Sequence, residues 1–165
     1  MRITNKLVAI LAASLISAIY ITPAFAAKAK GKPLLDKGKL SIGVGVSNNS
    51  VSGPVDDEPG YQFFAAYDLV TVNLIDGVES SVEFGVMDYG YERDSTGIWG
   101  TYVIDGKFTG QFGWLGRIGL DIGDDSGFML GAGVGYDFGP KVATRLEYVI
   151  RDEVKSLQLN FLYRL

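Results

Sequence analysis

Residues 128–138 read Phe-Met-Leu-Gly-Ala-Gly-Val-Gly-Tyr-Asp-Phe, and this stretch decides the architecture. Phe128, Leu130, Ala132, Val134, Tyr136 and Phe138 make one row; Met129, Gly131, Gly133, Gly135 and Asp137 make the other. A period of two puts these rows on opposite faces of a β-strand. In a soluble sandwich or calyx the apolar row would point inward and the second row would meet water. Here the second row is mostly glycine, too small for an ordinary wet surface, and the apolar row begins and ends on aromatic rings. Both features fit a strand whose apolar face meets lipid and whose small face lines a narrow interior.

The same pattern recurs on either side. Val142, Thr144, Leu146, Tyr148 and Ile150 oppose Arg145, Glu147 and Arg151, and Leu157, Leu159, Phe161, Tyr163 and Leu165 oppose Ser156, Gln158, Asn160 and Arg164. Upstream, Phe112, Trp114, Ile118, Leu120 and Ile122 alternate with Gln111, Gly113, Arg117, Gly119 and Asp121. Leu40, Ile42, Val44 and Val46 make another apolar row. So do Tyr61, Phe63, Ala65, Tyr67 and Leu69, and a further row begins at Val82, Phe84 and Val86. Ile98–Ile104 is a strand of open facing, because Trp99 and Val103 compete with Tyr102 and Ile104. The count reaches eight.

The connections alternate in kind. Asn48–Gly60, Arg93–Gly97, Gly123–Gly127 and Asp152–Glu153 fall at one end, and turns around Asp76-Gly77, Asp105-Gly106 and Gly139-Pro140 at the other. Asp-Gly favours tight hairpins because both central positions tolerate positive φ. An even strand number returns both ends of the chain to the same side, and strands of about ten residues suit a tilted crossing of the hydrocarbon layer. Closure satisfies every backbone polar group, as lipid demands. The expected fold is all-β: an eight-stranded antiparallel up-and-down transmembrane β-barrel over residues 38–165.

The start of the chain reads as an export signal. Arg2 and Lys6 precede an apolar stretch from Leu7 to Ile21, then Pro23 and Ala24-Phe25-Ala26, so cleavage between Ala26 and Ala27 is expected. The apolar stretch is too short for a spanning helix, which needs about 20 residues. Residues 27–37 are lysine-rich and broken by Gly31 and Pro33, the composition of a flexible periplasmic lead-in. Removing residues 1–26 from the 165 leaves 139, enough for one domain, with 13 basic and 19 acidic groups. That acidity argues against nucleic acid as a partner.

The chain contains neither cysteine nor histidine, which excludes disulfides, thiol and histidine chemistry and the usual zinc sites. No Gly-x-Ser-x-Gly elbow presents a serine nucleophile. Gly43-x-Gly45 and Gly131-x-Gly133-x-Gly135 lie inside strands with no helix to receive a phosphate, so they do not read as nucleotide loops. Asp56-Asp57-Glu58 and Asp124-Asp125 are acidic loop clusters without a calcium-loop spacing. No enzyme activity, metal or cofactor is expected.

The run Gly131-Ala-Gly-Val-Gly-Tyr-Asp-Phe-Gly-Pro140, then Arg145-Leu-Glu-Tyr148, then Leu157-Gln-Leu-Asn-Phe-Leu-Tyr-Arg-Leu165, resembles the closing hairpins of small outer-membrane β-barrel proteins. These are the OmpA-, OmpX- and opacity-type porin-like proteins of Gram-negative bacteria, and the resemblance covers about residues 38–165. It implies residence in the outer membrane among lipid and lipopolysaccharide, delivery by periplasmic chaperones and the barrel-assembly machinery, and a monomeric state. It also implies a C-terminal assembly signal in Phe161, Tyr163 and Leu165, although the family usually ends on phenylalanine. The peptidoglycan-binding domain that some relatives append is not expected after Leu165.

Eight strands enclose a space that side chains can just fill. The inward row would carry Asp68, Glu83, Asp121, Asp137 and Glu147 against Arg117, Arg145, Arg151 and Arg164. Buried charge is costly unless paired, and a ring of one sign would have suggested a selective pore. Near-balance therefore suggests an ion-pair network that plugs the barrel, with Arg145 and Glu147 as its leading members. The expected role is structural, in envelope integrity. The alternatives are a narrow passive porin-like channel and a soluble periplasmic lipocalin-like binder.

Overall fold

The computed structural model describes residues 36–51, 56–69, 77–91, 95–123 and 126–165. The signal stretch, the Ala26–Ala27 cleavage point and most of the lead-in lie outside these residues, as do Asp76 of the Asp76-Gly77 turn, Arg93 and the Asp124-Asp125 cluster. At the end of the lead-in, Lys37–Lys39 form one 3₁₀ turn, with the Asp36 carboxylate accepting from the Gly38 amide at 3.0 Å.

Eight strands follow: β1 (Leu40–Val51), β2 (Glu58–Asp68), β3 (Val78–Asp88), β4 (Thr96–Thr109), β5 (Phe112–Gly123), β6 (Gly127–Asp137), β7 (Val142–Ile150) and β8 (Val154–Arg164). Each pairs antiparallel with the next in sequence, and β8 closes on β1 from Ser41↔Arg164 to Val51↔Val154. The barrel has no free edge, so the ladder groups of every strand are paired on both sides.

Alternation of large apolar with small or polar residues sets the facing of each strand. Ile42, Val44 and Val46 of β1 are exposed while Ser41, Gly43, Gly45 and Ser47 are buried. Along β6, Phe128 is 80% exposed and Met129 0%. Val86 shares the outward row but is only 5% exposed, lying in register between Phe63 and Ile98. The outer surface is therefore aliphatic and aromatic, a face stable against lipid rather than water. Rings cluster where the short turns lie: Phe112 and Phe138 each meet Tyr136 edge-on at 4.9 Å between centroids.

Two expectations are corrected and one open facing is resolved. Asp105-Gly106 is not a hairpin: β4 runs on to Thr109, Asp105 and Gly106 pair with Leu115 and Trp114, and the turn falls at Gly110, with φ +51°. The local Asp-Gly preference yields because Gly106 is the floor on which the Trp114 ring lies, 2.8 Å from where a Cβ would stand. The loop expected from Asn48 to Gly60 is shorter, since Asn48 and Asn49 still pair with Pro59 and Glu58, and β1 continues to Val51 against β8. Finally, β4 turns Trp99, Thr101 and Val103 inward, at 1%, 4% and 0% exposure, with Ile98 outside at 53%.

Candidate functional site

The barrel interior gathers the charged residues of the inward rows, on strands that bring them together from distant parts of the sequence. Arg117 on β5 lies at the centre. Its Nη2 donates to Glu83 Oε2 on β3 at 3.0 Å and stands 2.6 Å from Glu147 Oε2 on β7. Glu83 also accepts from Arg145 Nη1 at 2.5 Å. The result is an alternating chain, Arg145–Glu83–Arg117–Glu147, in which only the Arg145 side chain keeps some exposure, 15%. Arg145 and Glu147, neighbours on one face of β7, meet through the other two residues.

Uncharged polar side chains extend this chain towards β1. Asn160 Nδ2 donates to Glu147 Oε1 at 2.9 Å, and Gln62 Nε2 donates to Asn160 Oδ1 at 2.7 Å and to Gln158 Oε1 at 3.0 Å. Glycines make this approach possible: a Cβ at Gly45 would occupy the place of the Asn160 side-chain amide.

A second buried pair lies nearer the loop end. Arg151 Nε donates to Asp121 Oδ2 at 2.8 Å, and Tyr89 Oη donates to the same oxygen at 2.5 Å. Arg151 Nη1 donates to Ser156 Oγ at 2.8 Å, and its guanidinium lies 5.4 Å from the centre of the Tyr89 ring. Among the described residues the six interior charges thus number three of each sign, which is the condition under which burial is tolerable.

The remaining residues of the expected network sit at the turn-end mouth instead. Asp68 and Arg164 are 3.9 Å apart, with side chains 37% and 51% exposed. Asp137 pairs with Lys107, also partly exposed. They separate from the buried set because they lie at the last inward positions of β2, β8 and β6, where the wall meets solvent. Lys107 escaped the sequence reading because the expected turn at Asp105-Gly106 placed it beyond the strand.

Apolar side chains fill the space between the ionic groups. Phe64, Met87, Tyr89, Trp99, Met129, Val149, Val154 and Leu162 form one buried cluster inside the barrel. The Phe64 ring lies across Gly43 and the Trp99 ring across Gly85; the two rings are 5.6 Å apart, and the Arg117 guanidinium lies 5.5 Å from the Trp99 centroid. Met129 stands on the inward row by alternation, and Trp99 was one of two competing facings, but Phe64, Met87, Tyr89, Val149, Val154 and Leu162 were missed because strand periodicity records facing, not bulk. Tyr89, two positions beyond Met87 and four beyond Gly85 on the inward row, carried the one available signal.

Space remains at the turn end. A cavity of about 260 Å³ opens there, lined by Asp68, Glu79, Asp105 and Asp137, by Lys107, Lys141, Arg145 and Arg164, and by Ala66, Leu115 and Leu162. The next inward residues along these strands are Phe64, Arg117, Glu147 and Asn160, so the cavity ends blindly on the filled layer. Among the described residues no group of three or more acidic side chains is disposed to hold a metal ion.

No protein-family model matches the chain, and no curated protein sequence does. Solved structures do. A de novo designed transmembrane β-barrel superposes with a TM-score of 0.57 at 18% identity, over 78% of this chain and 96% of that one. The attachment invasion locus protein Ail of Yersinia pestis gives 0.50 at 16% identity, over 76% and 96%. Neisserial surface protein A gives 0.48 at 15% identity, over 77% and 97%. At such identities the likeness is one of fold: this chain is a closed, eight-stranded antiparallel β-barrel that resembles known Gram-negative outer-membrane barrels.

Proposed function

We propose that this chain is a monomeric outer-membrane β-barrel whose role is structural, in the integrity of the envelope, and whose interior is a plug rather than a pore. One observation carries this reading: behind an apolar, ring-studded outer wall, the bore is filled by a contiguous apolar cluster threaded with six mutually neutralised charges. A conducting path would need mobile water beside those charges, whereas each is held by a fixed partner.

In this reading residues 1–26 direct export and are removed between Ala26 and Ala27, and the lysine-rich lead-in remains in the periplasm. Phe161, Tyr163 and Leu165 serve as the assembly signal presented to the barrel-assembly machinery after chaperone delivery. The outer wall then contacts lipid and lipopolysaccharide. No catalytic chemistry is assigned to the interior.

The test is single-channel recording from planar bilayers containing folded protein, with insertion verified independently by protease protection. Inserted but silent protein supports the plug. Discrete, repeatable conductance steps would replace it with a narrow channel, for which the blind turn-end cavity would be the vestibule. Release with the osmotic-shock fluid and failure to enter bilayers would return the chain to a soluble periplasmic binder.

A further inference from the structure

The cavity at the turn end divides its charges by side. Glu79 and Asp105 come from β3 and β4 and Arg145 from β7 across the barrel, while Arg164 on β8 faces Asp68 on β2 over the intervening β1, and Lys141 lies in the turn that leads into β7. Lys107 and Asp137 cancel each other between the two sides.

The partnering within each side is incomplete. Glu79 and Asp105 stand directly opposite in the β3–β4 register, and neither makes a salt bridge among the described residues. Like charges placed directly across a strand pair destabilise it, so a cation between them would relieve a cost already present in the wall. Arg145 reaches across from β7 to commit Nη1 to Glu83 on β3 while its side chain still borders the cavity, and Arg164 reaches Asp68 only at 3.9 Å. Planar guanidinium groups with unused N–H donors suit a carboxylate or phosphate.

We infer that this cavity is a binding site for one small zwitterion, with a primary amine held between Glu79 and Asp105 and an oxyanion held by Arg145 and Arg164. A volume of about 260 Å³ admits a single small molecule or the exposed headgroup of a lipid, not a polymer. The blind floor of Ala66, Leu115 and Leu162 makes it a seat rather than a passage. This inference deepens the barrel reading, because it needs a folded barrel whose turn end is open to water.

The experiment uses the full folded protein in detergent, titrated with O-phosphoethanolamine while backbone amide shifts are followed by NMR. Ethanolamine alone and inorganic phosphate alone serve as half-ligand probes. Saturable shifts at the turn-end mouth, at least tenfold tighter for phosphoethanolamine than for either half, are expected. Asp105→Asn with Glu79→Gln should reduce its affinity to that of phosphate, and Arg164→Gln should weaken phosphate binding without changing ethanolamine binding.

Nanodiscs with and without phosphatidylethanolamine separate the two sources of this chemistry. Competition by the lipid assigns the seat to a headgroup, and its absence assigns it to a free solute. No shift at the mouth, or equal affinity for the zwitterion and one half-ligand, would overturn the site. A dispersed barrel spectrum in the same sample leaves the barrel reading standing, whereas a collapsed spectrum would refute that reading itself.

Discussion

Arg117 Nη2 and Glu147 Oε2 lie 2.6 Å apart in the middle of the barrel, and neither side chain has any exposure to solvent. They come from strands β5 and β7, and the same guanidinium nitrogen also reaches Glu83 on β3. One cation thus ties three strands that do not neighbour one another in the sheet. Removing a member of such a set leaves an uncompensated charge in a medium that solvates it poorly.

Glu147→Ala is therefore expected to destabilise the folded barrel by about 3–5 kcal/mol. It strands part of the Arg117 charge and removes the acceptor of the Asn160 amide. Urea unfolding in detergent measures this as a lowered midpoint. An unchanged midpoint would mean that the network contributes nothing to stability.

Asp121 and Arg151 offer a test of charge against shape. Arg151→Met alone leaves the Asp121 carboxylate, which also accepts from Tyr89, buried without the Arg151 cation and should be strongly destabilising. Asp121→Leu added to Arg151→Met should recover part of that loss, since an apolar pair of similar volume often replaces a buried ion pair at little cost. A double-mutant cycle on the urea midpoints checks this; strict additivity would show that the two residues are not coupled.

Leu130 is 59% exposed on the outward, apolar row of β6. Leu130→Arg is expected to oppose insertion by about 2–4 kcal/mol, the cost of a cation near the bilayer midplane. Folding yield into vesicles, read by heat-modifiable migration on gels, measures it. Normal yield would mean that the apolar row does not face lipid.

Gly85 is a seat for the Trp99 ring: an added Cβ would stand 2.5 Å from Cζ2, 2.6 Å from Cε2 and 2.8 Å from the Phe63 carbonyl oxygen. Because one of these contacts is backbone, a side chain cannot be relieved by rotating the ring alone. Gly85→Val should cost about 1–3 kcal/mol as an overpacked interior and shift Trp99 fluorescence. A wild-type spectrum with unchanged stability would show that the ring moves freely inside the barrel.

Phe161→Ala with Tyr163→Ala removes two rings from the outer row of β8, at 47% and 44% exposure. Their proposed part in assembly predicts a several-fold loss of outer-membrane protein in cells, while most of the purified protein still refolds in detergent. Equal losses in both settings would assign the rings to stability instead.

The legible part of the molecule was the part governed by short-range alternation. Along β6 and β8 a glycine or amide row faces an apolar row so consistently that facing follows from the sequence alone, and the same alternation along the rest of the chain gives the strand number. In β4 the signal failed for a physical reason. The bore needs bulk at Trp99 and Val103, so both faces carry large side chains and periodicity cannot choose between them. The Asp105-Gly106 turn failed because a tertiary demand, the packing of Trp114, overrode a local dihedral preference.

What the sequence by itself determined is the barrel and the sign balance of its interior, since a period of two and a count of charges need no knowledge of distant contacts. Which charge meets which was decided only by the tertiary structure. Glu83 finds Arg117 and Arg145 at separations of 34 and 62 residues, distances set by barrel closure and strand stagger. The same closure sorted the expected nine-residue network into a buried core and a wet mouth. Depth along a tilted strand depends on the register of all eight strands, and no single strand encodes it.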